Sequence, residues 1–334
     1  MVKKLTYFVL KGDLSFVKKL MCMLLVTTLL VFSVLPVYAY DDKTSLNGYE
    51  LSIQRFVGKI SSKNEIEVAE DILKSIDLSE EYISKMPEKE KLKIYNAEEI
   101  YHFSQYCKID ESGKETILSK EEYESSLQSA SNNMSDDTIY ENSEKESNLQ
   151  KDILCYRDDR SEKGVYTILV SFSWIKMPIF RGKDVVSISS NRLEMVAKDF
   201  GATYGYTKTT VANGHTTVKD EIFNDDITSL KDTGRFKRFI NGVAYIFNLP
   251  INTPYTGANY NSSYSGFYIF ASIRAKIATP NEAIRFNVYG AYHHQTLSVN
   301  PSISITSGEI SVSPKLAYGS AKRISFDDAI DYIP

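Results

Sequence analysis

Phe267-Tyr-Ile-Phe-Ala-Ser-Ile-Arg-Ala-Lys-Ile277 and, after a short gap, Ile284-Arg-Phe-Asn-Val-Tyr-Gly-Ala-Tyr292 decide the fold class. In the first segment Phe267, Ile269, Ala271, Ile273, Ala275 and Ile277 occupy alternate positions; in the second, Ile284, Phe286, Val288, Gly290 and Tyr292 do so. Alternation with period two is the mark of a strand that buries one face. Thr279-Pro-Asn-Glu282 between them reads as a turn. Pairing Ile277 with Ile284 keeps both stripes on one face, so the pattern predicts an antiparallel hairpin with Tyr268 opposite His293 on its other face.

The same period runs outward from this pair. Tyr166, Ile168, Val170, Phe172 and Trp174 alternate with Thr167, Ser171 and Ser173. Leu297, Val299, Ile303 and Ile305 continue the pattern, and Gly308 turns the chain into Ile310, Val312 and Leu316. Shorter strands are expected at Val185–Ser189, Thr203–Val211 and Val243–Leu249. Residues 152–334 are therefore expected to form a mainly antiparallel β-sandwich or barrel-like domain.

Upstream the period changes to that of helices. Ile66, Ala69, Ile72, Leu73 and Ile76 are spaced by three and four. Ser79 stands before Glu80 and Glu81 as an N-cap, and Pro87 closes that segment. Leu92, Tyr95, Ala97, Ile100 and Tyr101 again suggest a helix, and Ser119-Lys-Glu-Glu122 has the form of a capping box. Asp110–Gly113 breaks this region and is read alternatively as the turn of a small hairpin. Residues 40–127 thus read as a small acidic helical region, and the polar stretch 128–151 as a linker. The fold class expected is α+β.

At the start of the chain, Lys18-Lys19 precede an uncharged run from Leu20 to Leu35, and Val37 and Ala39 occupy the small-residue positions of a cleavage site. Residues 1–39 read as a secretory signal peptide, with an uncleaved anchor as the alternative. The repeated Val-Lys-Lys-Leu at Val2 and Val17 makes residues 1–16 either a mis-called start or an extended n-region.

The chain has 39 Lys+Arg and 43 Asp+Glu; without residues 1–39 the balance is about −8. That argues against nucleic acid or an anionic membrane surface as partner. Cys107 and Cys155 remain after the signal and are read either as one disulfide or as two buried free thiols. Glycine-flanked serine, HExxH, P-loop and EF-hand patterns are missing, so neither catalytic residues nor a cofactor are assigned. His293 and His294 are neighbours on an expected strand and point to opposite faces, so they cannot share a metal. His102 and Cys107 lack a second ligand pair, and Asp220-Glu221 with Asp225-Asp226 reads as a solvated loop, so no metal site is assigned. Trp174 to Asp184, with Arg181, reads as an architectural corner.

The segment richest in recognition chemistry is 252–268, where Tyr255, Tyr260, Tyr264 and Tyr268 alternate with asparagines and small residues. Tyrosine offers flat amphipathic area and asparagine adaptable hydrogen bonds, a combination suited to saccharide or protein ligands. With His293 these four tyrosines are the candidate ligand-binding residues. The competing reading is that another element packs over them.

Ile83-Ser-Lys-Met-Pro-Glu88, Tyr95-Asn-Ala-Glu-Glu-Ile100, Leu118-Ser-Lys-Glu-Glu-Tyr123, Trp174–Asp184 and Pro301–Pro314 resemble segments of uncharacterised exported proteins of Gram-positive bacteria. The resemblance implies an exported protein with a helical part and a β-rich C-terminal part, and carries over no activity, ligand or catalytic residue. The expectation is therefore a secreted or cell-surface non-catalytic module that binds a cell-wall or host saccharide or protein. The alternatives are a membrane-active β-protein and an extracellular hydrolase.

Overall fold

Three short helices open the described structure: α1 (Glu65–Ser75), α2 (Glu80–Lys85) and α3 (Glu88–Tyr95). The computed structural model describes residues 64–334 except 111–113, 133–146, 158–162, 175–181, 213, 231–232, 250–259, 296–300, 307–308, 314–321 and 326–328, all within one unit, Gly48–Pro334. The signal-peptide reading lies outside these residues. Asn64 caps α1 through Ile66 N, and the Ser79 hydroxyl caps α2 by accepting from Tyr82 N at 3.2 Å. The chain continues as β1 (Ile100–Ile109), β2 (Glu115–Leu118) and α4 (Lys120–Asn132). Ser119 and Glu122 close the expected capping box: Glu122 N donates to Ser119 Oγ at 3.2 Å and Ser119 N to Glu122 Oε2 at 2.8 Å.

Fourteen further strands follow: β3 (Ser147–Arg157), β4 (Val165–Trp174), β5 (Lys183–Ser190), β6 (Leu193–Ala212), β7 (His215–Asp226), β8 (Phe236–Phe239) and β9 (Gly242–Asn248). Then come β10 (Tyr260–Ile277), β11 (Ile284–Phe286), β12 (Val288–His293), β13 (Ser302–Thr306), β14 (Glu309–Ser313), β15 (Lys322–Ser325) and β16 (Ile330–Tyr332). A one-turn helix α5 (Ile227–Leu230) lies between β7 and β8.

The strands form a seven-stranded sheet, β2-β1-β3-β4-β10-β6-β7, and a five-stranded sheet, β15-β12-β5-β9-β8, both antiparallel. Their inner faces meet in one core. The seven-stranded sheet contributes Ile153, Ile168, Val170, Phe172, Ile269, Ala271, Ile273 and Ala275; the other contributes Val186, Ile188, Tyr245, Phe247 and Tyr292. The class is α+β, with a β-sandwich as its main body. Helices α1–α3 cover the outer face of the larger sheet, burying Ile72, Leu73, Tyr82, Ile83 and Ile94 against Leu154, Leu169, Tyr268 and Phe270. Glu90 of α3 is buried with them, accepting from Ser272 Oγ at 2.9 Å and Tyr156 OH at 3.3 Å, so that its carboxylate is satisfied. The β13–β14 hairpin packs on the opposite outer face, Val312 against Val185, Ala244 and Ile246.

Several expectations require correction. The stripes of β10 and β12 do not pair. Both edges of β10 are occupied, by β4 and β6, so the chain crosses after Glu282 and β12 joins β5 in the other sheet. The two stripes line the same core from opposite sides, which periodicity alone cannot distinguish from a hairpin. The helical pattern expected through Tyr101 ends at Tyr95, and Ile100–Ile109 is a strand. Asn96 caps that helix end, and Tyr101, Phe103, Cys107 and Ile109 alternate into the core beyond it. The alternative hairpin reading of Asp110–Gly113 holds: β1 pairs with β2, and Asp110 Oδ1 accepts from Lys114 N at 3.0 Å. At the end of the polar stretch, Ser147–Lys151 belongs to β3. Lys151 is buried there because its ammonium donates to Glu115 at 2.9 Å and to the Arg323 carbonyl at 3.0 Å. The acidic run 220–226 lies on β7, not in a loop.

Cys107 and Cys155 are free, buried thiols. They occupy one ladder, Cys107 opposite Leu149 and Cys155 opposite Tyr101, six pairs apart. That is roughly 20 Å along the strands, far beyond disulfide reach. Burial pushes the Cys107 thiol up to about 11.

Candidate functional site

A bulge in β10 separates the tyrosines that the sequence grouped together. Its register against β6 shifts between Ser265 and Tyr268, and Gly266 takes the left-handed conformation there (φ +60°). Upstream of the bulge Tyr264 faces the inner side, its ring edge-on to Tyr206 at 5.3 Å and 5.9 Å from the Lys208 ammonium. Downstream, Tyr268 faces the helices and is buried. Its phenol lies over Gly205, where a Cβ would come within 2.5 Å of the hydroxyl. Tyr260 stands opposite Ala212 at the start of β10, and Tyr255 lies outside the described residues. His293 is on the other sheet, opposite Val185 and buried. Among the described side chains, Tyr264, Tyr268 and His293 do not share a surface, and helix α2 packs over Tyr268.

What the structure builds around Tyr268 is a recess of about 100 Å³ between α2, α4 and the outer face of the larger sheet. Tyr82, Tyr123, Tyr268 and Phe270 supply aromatic walls, and Gln150, Ser171 and Ser173 supply a hydroxyl and amide floor. Tyr82 packs edge-on against Phe270 at 5.1 Å. At the rim Lys85 pairs with Glu81 at 2.6 Å, and its ammonium lies 5.6 Å from the Tyr268 ring. The rim charges cancel.

Beneath the floor lies a buried polar network centred on Asp152. The Ser104 hydroxyl donates to Asp152 Oδ1, as does Gln150 Nε2 at 3.2 Å, and Ser171 Oγ lies 3.3 Å from Oδ2. The Tyr82 phenol is 3.1 Å from Ser171. Burial first, then the Asp152 carboxylate, hold that phenol well above its ordinary range, so it remains protonated. His102 completes the network. Its Nδ1 faces the Ile76 carbonyl at 3.1 Å, an oxygen that can only accept, so Nδ1 carries hydrogen. Its Nε2 lies 2.8 Å from Ser104 Oγ, whose proton is committed to Asp152. Its Nε2 also lies 3.6 Å from the Asp152 carboxylate, so imidazole, hydroxyl and carboxylate form one buried cluster.

His102, Ser104 and Asp152 have the residue types of a hydrolytic triad in the wrong order. The serine sits between imidazole and carboxylate and gives its proton to the carboxylate, so the imidazole cannot activate it. A second buried carboxylate, Asp184, accepts from Tyr292 OH and from Gln295 N at 2.9 Å, with His294 Nδ1 at 3.0 Å. This orients the His294 imidazole, but among the described residues no serine or cysteine is bonded to its Nε2. Asp184 ends the stretch read as an architectural corner, of which 175–181, Arg181 included, lie outside the described residues. Among the described residues no three potential ligands cluster around a metal position. His102 and Cys107 point to opposite faces of β1.

The His102 role was missed because 40–127 was read as helical, and Asp152 was read only as the first residue of the β-domain. The signal available was the alternation His102, Ser104, Tyr106 on one face of β1, visible only once 100–109 is taken as a strand.

No protein-family model matches the chain, and no curated protein does. Among solved structures, the collagen-binding domain of a Staphylococcus aureus adhesin covers 50% of this chain and 90% of its own at 7% identity and a TM-score of 0.24. The collagen-binding subdomain of the Enterococcus faecalis surface protein ACE covers 50% and 88% at 8% identity and 0.22. A pore-forming protein covers 70% and 96% at 7% identity and 0.21. The two adhesin domains are compatible with a surface binding module, but likenesses this loose are no argument for one.

Proposed function

We propose that this is a non-catalytic binding module of the cell exterior, and that the recess over Tyr268 holds a small neutral hydroxylated group, such as the end of a saccharide. The observation that carries this reading is the lining: aromatic walls above a floor of serine hydroxyls and a glutamine amide, with rim charges that cancel. Aromatic faces stack on sugar rings, and neutral donors and acceptors suit hydroxyls better than ions. The volume admits the tip of a ligand, so the remainder would lie across the rim.

The expected export of the chain, by the signal at residues 1–39, supports an extracellular ligand. Titration calorimetry of the mature protein with soluble cell-wall or host-surface oligosaccharides tests the proposal. Tyr268→Ala is expected to weaken binding roughly tenfold, with the melting temperature monitored in parallel. Binding that survives this change unaltered would place the site elsewhere.

The membrane-active alternative gains no support. β13 and β14 are five residues each, about half the length a bilayer-spanning strand requires. On the longer β6–β7 hairpin, Lys208, Lys219 and Glu221 charge one face, and Asp220 interrupts the other.

A further inference from the structure

The seven-stranded sheet ends at β7. β7 is bonded to β6 over twelve pairs, Gly201↔Asp226 to Ala212↔His215, without a register shift. Its other edge has no strand partner among the described residues. Edge strands are normally blunted by prolines, bulges or covering elements, because their free N–H and C=O groups template further pairing. Among the described residues none of these occurs on β7; charge at Lys219, Asp220 and Glu221 is the guard it carries, and its large apolar side chains are open to solvent: Val218 is 64% exposed, Ile222 58% and Phe223 37%.

We infer that β7 is a homotypic interface, pairing antiparallel with β7 of a second copy about a two-fold axis at Asp220. Each residue then faces one whose number makes the same total of 440, and the two always share a face of the sheet. Val218 meets Ile222 of the second copy, and Ile222 meets Val218. Lys219 meets Glu221 twice, once on each side of the axis. Thr217 meets Phe223, and Thr216 meets Asn224. The exposed apolar residues are thus the ones this register covers.

The electrostatics within one copy point the same way. Lys219 stands directly opposite Lys208 on β6, an unfavourable like-charge pair. A glutamate arriving on the open side of Lys219 offsets it. The second copy supplies this from Glu221, which within its own copy is held by the Tyr206 hydroxyl at 2.9 Å. The register has one unfavourable element, Asp220 opposite Asp220 on the axis. Asp220 already accepts from Thr207 Oγ1 at 2.7 Å, which spreads part of its charge.

Sedimentation of the full chain across a wide range of concentration tests the inference, with circular dichroism and melting showing that each variant is folded. Wild type is expected to pass from monomer to dimer. Lys219→Glu is expected to weaken the dimer about tenfold or more, and adding Glu221→Lys to restore it, because the swapped charges pair again. Asp220→Asn, which removes the repulsion on the axis, is expected to tighten it several-fold. A chain monomeric at every concentration overturns the inference. So does a dimer indifferent to Lys219→Glu, or one weakened by Asp220→Asn.

Discussion

Replacing His293 by phenylalanine should flatten the acid side of the stability curve. The imidazole is 4% exposed, and neither ring nitrogen has a hydrogen-bond partner among the described residues. Burial, with the Arg323 guanidinium as a second cause, lowers it from 6.5 to about 4. Between those values the unfolded chain takes up a proton that the folded chain refuses. Its contribution is complete above pH 6.5, falls as the pH drops towards 4, and is constant below that. At about 1.4 kcal/mol per unit the loss amounts to about 3 kcal/mol across the window. Urea unfolding of wild type and His293→Phe at pH values from 4 to 7 isolates it, since all carboxylate contributions are common to both. The variant should lose about 3 kcal/mol less than wild type over that range. It should be no less stable at pH 7, where two orphaned ring nitrogens have been removed. Parallel curves for the two proteins would refute the reasoning, by showing that the ring is solvated or paired in the folded state.

Asp152→Ala removes the acceptor for Ser104, Gln150 and Ser171 and leaves those buried donors unpaired; a loss of roughly 3–5 kcal/mol is expected in chemical denaturation. Faster amide exchange in α1 and α2 than in the sandwich strands would locate the damage. Cys107 and Cys155 should resist thiol reagents in the folded protein at pH 8 and react together on unfolding, because burial raises both thiols; mass spectrometry of alkylated protein reads this directly. Gly290→Ala should cost roughly 1–3 kcal/mol in thermal melting, since its Cβ would lie 2.8 Å from Val170 Cγ1 and 2.9 Å from Ile324 Cγ2, closing the gap between the sheets.

The strands of the sandwich were legible wherever one face is apolar. Tyr166 to Trp174, Val185 to Ser189 and Val243 to Leu249 appear where alternation places them. The helix caps at Ser79 and Ser119 were equally readable, because a cap depends only on neighbours along the chain. What failed was non-local. Alternation in β10 and β12 specifies which face is buried but not which strand lies alongside, and two strands lining one core from opposite sheets carry the same signature as a hairpin. Ser147 to Lys151 looked like linker because its polar side chains find partners remote in sequence, Asn148 at Ser126 and Lys151 at Glu115 and Arg323. The separation of Tyr264 from Tyr268 was not legible for a smaller reason: the bulge at Gly266 puts the two on opposite faces.

β10 has a further consequence, for the time the molecule takes to fold. It lies between β4 and β6, and its pairings bridge separations such as Ser173 to Tyr268. The second sheet does the same, joining Ser190 to Val288. Loops this long must close before any sandwich contact forms, so contact order is high and folding is expected in milliseconds to seconds rather than microseconds. Until the C-terminal third of the chain is present, β4 and β6 each lack a central neighbour. A nascent or truncated chain therefore holds exposed strands where the finished one holds its core.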